Sequence, residues 1–139
     1  MRAKLAAVVV AIGLILVSVA VPAWAHHSFA AEFDANKPVN IKGTVTRLEW
    51  VNPHVWIHVN VKKPDGSLEN WAIEAGTPNT LYRRGITKVL LPIGTEIAIV
   101  GFSAKDGSRR ANGRDMKLAD GRSLFLGSSG TGAPYDPKK

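Results

Sequence analysis

The chain has 139 residues, a formal net charge of +7 and no cysteine. It is therefore at most one ordinary domain, without disulfides, thiolate nucleophiles or cysteine-ligated metals. Apolar residues make up 45% of the sequence and charged residues 21%, which is typical of a globular protein rather than a disordered or collagen-like one. Any chemistry must come from histidines, carboxylates, aromatic side chains or the shape of the surface.

The first 25 residues have the layout of a secretory signal peptide. Arg2 and Lys4 precede an uncharged, largely apolar run of 17 residues, and small residues follow at Ala23 and Ala25. A run of this length is at the lower limit for a membrane-spanning helix, so the pattern favours cleavage after Ala25 over an uncleaved anchor. We expect a periplasmic or secreted protein that starts at His26 and keeps no stable membrane anchor.

Cleavage removes 25 of the 139 residues, which leaves 114, and lowers the net charge from +7 to +5 because Arg2 and Lys4 are lost. This length is sufficient for a core that folds without disulfides. In an exported protein a basic charge favours anionic membrane surfaces, acidic glycans or solubility over nucleic acid. The expected partner is an unknown envelope ligand or protein, and nucleic acid is not expected.

Alternating apolar residues predict the first three strands. Between Val39 and Trp50 the apolar residues change from odd-numbered to even-numbered positions near Thr46-Arg47, which indicates a β-bulge. In the run from His54 to Val61 aliphatic and other residues alternate throughout. Pro64-Asp65-Gly66 then has the chemistry of a three-residue hairpin loop.

The hairpin loop also fixes a register between the second and third strands. It places Ile57 opposite Ile73 on an apolar face, and Trp56 opposite Glu74 on the other face. Glu74 is then diagonal to both His54 and His58. We expect the outer face of this hairpin to carry the side chains that bind a ligand.

The second half of the chain predicts one helix and further strands. Thr77-Pro78 has the sequence of a helix N-terminus, and Gly85 is expected to end that helix after about two turns. Residues 95–104 are apolar on both faces, which is typical of a central strand. Weaker strands are predicted around 114–118 and at 123–126.

This order of elements predicts a mainly β protein, a small OB-like Greek-key barrel of five to six strands with one short helix after the third strand. An open antiparallel sheet with one packed helix is the alternative. We divide the chain into a signal peptide at 1–25, a single β-barrel-like domain at 26–126 and a tail at 127–139. The tail is rich in Gly, Ser, Pro and Lys and is expected to be disordered.

The four histidines suggest a metal site. Cleavage would give His26 both an α-amine and a ring nitrogen, which can chelate a metal together near neutral pH. A ring nitrogen from another histidine would complete a set suited to Cu(II), with Ni(II) or Zn(II) as competitors. This arrangement looks like the histidine brace of exported copper proteins. Copper is therefore the candidate cofactor.

Strand geometry limits which histidines can take part. Four residues of strand span about 13 Å, so only one of His54 and His58 can join His26. We prefer His54, because it lies at the corner where the strand begins, and His27 is an optional further ligand. Glu74 is expected to accept a hydrogen bond from a histidine ring and to orient it.

A metal-free binding module is the alternative function. Trp56, His58 and Asn60 lie on the outer face of the second predicted strand and could bind a glycan, an envelope component or a partner protein. Burial of Trp56 under the N-terminal segment, with Phe29 and Phe33, is equally compatible with the pattern.

Catalysis is the minority interpretation. No nucleophile elbow, recognisable carboxylate pair, phosphate loop or dinucleotide fingerprint is present in the sequence. A brace-type copper oxidase would need an extended substrate face, for which a chain of this size leaves little surface.

Several blocks of the sequence are similar to a family of short exported bacterial proteins catalogued as a domain of unknown function. They include His26-His27-Ser28-Phe29, Arg83-Arg84-Gly85 and, most specific of all, the run from Glu49 to Trp56 that contains Asn-Pro-His. The resemblance covers nearly the whole mature chain. It implies export and a small β fold, and it supplies no mechanism.

Overall fold

The computed structural model describes residues 28–127. The predicted signal peptide, the pair His26-His27 and the tail beyond Gly127 lie outside the described residues. Two short helices and six strands follow one another in the order α1 (Ser28–Glu32), β1 (Phe33–Glu49), β2 (Trp56–Lys62), β3 (Leu68–Glu74), α2 (Pro78–Arg83), β4 (Glu96–Ala104), β5 (Arg110–Leu118) and β6 (Ser123–Phe125).

Five of the strands form a ring. Antiparallel pairings join β3 to β2, β2 to β1, β1 to β4 and β4 to β5, and β6 extends the sheet beyond β5. A parallel pairing between β3 and β5 closes the ring. The prediction of a mainly β, barrel-like fold with a short helix after the third strand is confirmed, and the closing pair replaces the open-sheet alternative.

The β2–β3 hairpin has the predicted register. Ile57 pairs with Ile73 and Trp56 pairs with Glu74, because the loop residue Gly66 takes the positive φ of 84° that a three-residue hairpin needs. The predicted bulge in β1 is also present, as a register shift between Val45 and Arg47 in the β1–β2 pairing.

Helix α2 begins and ends as its sequence predicts. The Thr77 side chain accepts a hydrogen bond from the Thr80 amide, Pro78 occupies the first turn, and Gly85 has a φ of 76° just after the C-cap. The helix buries Leu81 against the interior of the ring.

One helix and two strand bounds differ from the predictions. The short helix α1 was not predicted, β1 begins at Phe33 rather than near Val39, and β5 begins at Arg110 rather than near Arg114. The additional β5 residues pair in parallel with β3. A parallel partner that is distant in sequence leaves no turn signal from which it could be predicted.

Apolar side chains form two separate clusters. The larger cluster fills the ring and includes Ile57, Ile73 and Met116. The smaller, here called the outer cluster, consists of Phe29, Phe33, Phe102 and Ala104, and the half-buried Trp56 packs against it. No helix within residues 28–127 has the length and apolar character needed to cross a membrane.

Candidate functional site

One row of side chains runs across four strands of the ring. Trp56 on β2 pairs with Glu74 on β3, Glu74 pairs with Asn112 on β5, and Asn112 pairs with Phe102 on β4. Directly opposed residues project from the same face of a sheet, and Ile57 and Ile73 beside this row point into the ring. The row, here called the covered face, therefore lies on the outside of the ring.

Helix α1 covers this face. The Phe29 ring meets the Phe102 ring edge-on, with 5.6 Å between centroids. The Arg110 guanidinium lies 3.3 Å from the Glu32 carboxylate, and the Lys105 amide donates to the Glu32 carbonyl over 2.8 Å. The Lys105 ammonium also donates to the Ala30 carbonyl. The segment just after the predicted mature N-terminus is thus fixed to the ring by aromatic packing, one ion pair and hydrogen bonds from the backbone and side chain of Lys105.

Glu74 is a buried carboxyl group with few partners. It is only 8% exposed, and Asn112 Nδ2 donates to its Oε1 over 3.4 Å. Burial raises the pKa of Glu74, and the negative charge of Glu32 adds to the rise; the positive field of His54, the Asn112 hydrogen bond and Arg110 oppose it. A buried carboxyl group with a raised pKa is a common feature of functional sites.

Asn112 is itself only 4% exposed, and among the described residues its Oδ1 atom has no hydrogen-bond partner. Leaving a buried acceptor unpaired costs about 1–3 kcal/mol. The unpaired oxygen of Asn112 therefore destabilises the folded state at a position beside the aromatic outer cluster.

His54 lies at the edge of this face with a defined ring orientation. Its Nδ1 atom is 3.0 Å from the Ala75 carbonyl oxygen, which can only accept, so Nδ1 carries the hydrogen. In the neutral ring Nε2 then holds the lone pair. Glu74 Oε1 lies 3.7 Å from Nδ1, which is a close charge contact rather than the expected hydrogen bond.

His58 has a different environment. Its Nε2 atom is 2.9 Å from the Glu49 carboxylate, and the same carboxylate oxygen lies 2.6 Å from Arg47 Nη2. Since a carboxylate only accepts hydrogen bonds, Nε2 of His58 donates to Glu49. Arg47 Nη2 also lies 3.0 Å from Nε2 of His58. The two histidines thus have different surroundings: the His54 ring is oriented by a carbonyl, and the His58 ring contacts both members of an Arg47–Glu49 ion pair.

The other predicted surface residues also have partners. Trp56 is half-buried against the outer cluster, which is the burial that the sequence left open. Asn60 Oδ1 accepts a hydrogen bond from Asn70 Nδ2 over 3.1 Å, and Asn60 lines an open groove on β1, β2 and β3.

No group of three or more histidine, cysteine, aspartate or glutamate side chains within residues 28–127 is arranged to hold a metal ion. A site with three such ligands that includes His54 would therefore need at least one ligand from outside the described residues. His26 and His27 directly precede α1 in the sequence.

Sequence reasoning did not identify Asn112, Arg110 or Phe102 as part of this region. Asn112 and Arg110 lie in the part of β5 that was not predicted. Phe102 did give a signal, because β4 is apolar on both faces, and a second apolar face requires a second covering element.

Comparison with protein families gives a match over most of the chain. The model of a family of unknown function, DUF6152, matches residues 11–113. The chain belongs to this family. Membership in DUF6152 confirms the resemblance found in the sequence, and the matched range includes His54, Glu74 and Asn112. Searches of curated proteins and of solved structures find no match.

Proposed function

We propose that the protein is exported and that its mature form binds a transition metal, with Cu(II) as the preferred ion, through His26 and His54. The amine and ring of His26 would supply two nitrogens and Nε2 of His54 a third, with His27 as an optional ligand. Three nitrogen ligands suit Cu(II) better than the oxygen-preferring divalent ions.

The observation that carries this proposal is the orientation of the His54 ring. Metal-binding histidines almost always donate their other ring nitrogen to a carbonyl or carboxylate, which fixes the tautomer. The 3.0 Å contact between His54 Nδ1 and the Ala75 carbonyl oxygen is of this type. His58 also has such a contact, because its Nε2 atom donates to Glu49. The Arg47 guanidinium lies 3.0 Å from that same nitrogen, however, and its positive charge disfavours a bound cation, whereas His54 lies beside the carboxyl group of Glu74.

The position of α1 supports the participation of the N-terminus. Glu32, the last residue of α1, is near enough to Glu74 for its charge to raise the pKa of Glu74, and Glu74 in turn lies beside His54. His26 is two residues before Ser28, and two residues of chain reach at most about 7 Å. This short connection to the anchored helix α1 supports the proposal that His26 reaches His54.

Glu74 has a supporting role in this proposal. Its carboxyl group lies next to the ring of His54, so its negative charge would partly compensate the charge of a bound cation. We expect Glu74 to tune the affinity rather than to bind the metal, because Asn112 and the outer cluster enclose it.

The test is a calorimetric titration of Cu(II) and Zn(II) into the mature protein that starts at His26. We compare it with a protein that has one alanine added before His26, and with His54→Gln. Glutamine keeps a side-chain donor for the Ala75 carbonyl, so the fold is preserved. His58→Gln is the matched control on the same strand.

We expect 1:1 Cu(II) binding that weakens at least about tenfold, or about 1.4 kcal/mol, in the extended protein and in His54→Gln. His58→Gln should bind like the wild type. Equal affinity of wild type and His54→Gln would contradict the proposal and leave only a flexible N-terminal chelate.

A further inference from the structure

A second candidate site lies on the outer surface of β1, β2 and β3. It is an open groove of about 660 Å³, lined by polar and charged side chains together with one exposed leucine. The lining side chains on which the argument rests are Lys42, Thr44, Asn60, Lys62, Leu68 and Glu96. None of them belongs to the covered face or to the proposed metal site.

The floor of the groove is a row of four polar residues on four strands. Glu96 on β4 pairs with Thr44 on β1, Thr44 pairs with Asn60 on β2, and Asn60 pairs with Asn70 on β3. Beside this row a Cβ atom at Gly43 would lie 2.5 Å from the Asn60 carbonyl oxygen, so only glycine lets the two strands approach this closely. The row presents carboxylate, hydroxyl and amide groups in one line.

Two lysines lie beside the middle of this row, each two residues from it along β1 or β2. Extending the β1–β2 register by two residues from the Thr44–Asn60 pair places Lys42 opposite Lys62, and both side chains are exposed in the groove. Like charges directly opposite one another on a sheet are destabilising. Among residues 28–127 neither lysine forms an ion pair, whereas the neighbouring Lys63 pairs with Asp65 and Glu69.

The lining chemistry indicates a ligand with both negative charge and hydroxyl groups. The two ammonium groups suit an anion, and the carboxylate of Glu96 and the side chains of Thr44 and Asn60 suit hydroxyl donors and acceptors. No aromatic side chain in the described part lines the groove, so it lacks the stacking platform that single-stranded nucleic acids use. A bare polyanion would also be repelled by Glu96.

We propose that this groove binds an acidic oligosaccharide, with a sugar carboxylate between Lys42 and Lys62 and sugar hydroxyls along the row from Glu96 to Asn70. An extended chain of a few sugar units fits an open groove that crosses strands. This binding is separate from the proposed metal binding and does not depend on it.

The test is a titration of ¹⁵N-labelled mature protein with two acidic tetrasaccharides, one of galacturonic acid and one of mannuronic acid, followed by NMR. A neutral galactose tetrasaccharide and a short polyphosphate of similar charge serve as comparison ligands. We expect at least one acidic tetrasaccharide to shift the amide signals of β1 and β2 around Thr44 and Asn60, with an affinity that falls as salt is added.

The variants Lys42→Gln and Lys62→Gln should each weaken binding by about fivefold, the scale of one exposed charge contact near 1 kcal/mol. Thr44→Val, which keeps the side-chain shape, should weaken it by a smaller factor. Lys88→Gln removes an exposed charge outside the groove and is the matched control, with unchanged affinity. His54→Gln should also bind normally, which separates this result from the metal test.

Three results would overturn the proposal. They are no binding of either acidic tetrasaccharide, equal binding of the neutral tetrasaccharide, and polyphosphate binding that shifts the same signals with equal affinity. The last result would show that the lysines select charge alone.

Discussion

The covered face and the open groove lie on the outside of the same ring of strands, and both are lined by polar side chains. On the covered face Glu74 and Asn112 are 8% and 4% exposed, because α1 and the outer cluster exclude water. In the groove Lys42, Lys62 and Glu96 are exposed. The presence of the short helix α1 therefore distinguishes the covered face, where polar groups are buried, from the groove, where they are solvated.

This difference is the basis for proposing two kinds of binding. A water-poor region suits a cation only where an opposite charge lies close by, as the Glu74 carboxyl does beside His54, because such charges interact strongly where the local dielectric constant is low. A wide solvated groove suits a flexible polar ligand that exchanges its hydrogen bonds with water. The contrast depends on α1, so variants that loosen α1 should alter the covered face and leave the groove unchanged.

The largest expected effect comes from removing the centre of the outer cluster. Phe33 is 1% exposed, so Phe33→Ala should lower the free energy of unfolding by about 3–5 kcal/mol. Chemical denaturation measures this loss. Leu68→Ala, which removes an apolar side chain that is 62% exposed beside the groove, should change it by less than about 0.5 kcal/mol. Similar losses for both variants would show that α1 does not cover the ring in solution.

A smaller effect, with a defined pH dependence, is expected at Glu74. Because burial raises its pKa in the folded protein, the folded state binds this proton more tightly than the unfolded state does. Protonation of Glu74 therefore stabilises the folded state in full at pH values below the ordinary carboxyl pKa. This stabilisation is lost as the pH rises through the raised pKa of the folded protein.

Glu74→Gln should therefore be more stable than the wild type at pH 7, and this advantage should shrink as the pH falls toward 4. Urea denaturation of the metal-free proteins at several pH values measures the difference. Glu96→Gln, on the exposed floor of the groove, is the matched control and should change stability by less than about 0.5 kcal/mol. A Glu74→Gln advantage that grows on acidification would contradict the burial of this group.

The smallest effect is expected at the ion pair that ties α1 to β5. Glu32 and Arg110 are both partly exposed, so Glu32→Gln should cost less than about 1 kcal/mol. Its local signature should be faster hydrogen exchange at the Lys105 amide, which donates to the Glu32 carbonyl. Arg47→Gln breaks an ion pair on another part of the sheet and should leave the Lys105 amide unchanged.

The comparison also shows which features a sequence can predict. The hairpin register and the bulge were predictable, because Gly66 and the alternation of Ile57 and Val59 are local signals. The burial of Asn112 was not, since it depends on a parallel β3–β5 pairing and on the path of α1. Phe102 was an intermediate case. It lies on a second apolar face of β4, which indicates that another element packs there, but the pattern did not say which element.

The residues of the two candidate sites also differ in whether the sequence alone could identify them. His54 could be preferred over His58 from its position at the start of the strand, and this preference stays a prediction. The difference in charge between the two environments, Glu74 beside His54 and Arg47 beside His58, could not be read from the sequence. The groove lysines could not be recognised from the sequence, because Lys42 and Lys62 become neighbours only when β1 and β2 pair.

The central claim is that His54 joins the mature N-terminus in one metal site. Electron paramagnetic resonance of the mature protein with one equivalent of Cu(II) tests it directly, because coordinating nitrogens split the copper signal. We predict splitting from three nitrogens in the wild type and in His58→Gln, and from two in His54→Gln. Identical spectra for the wild type and His54→Gln would contradict the claim.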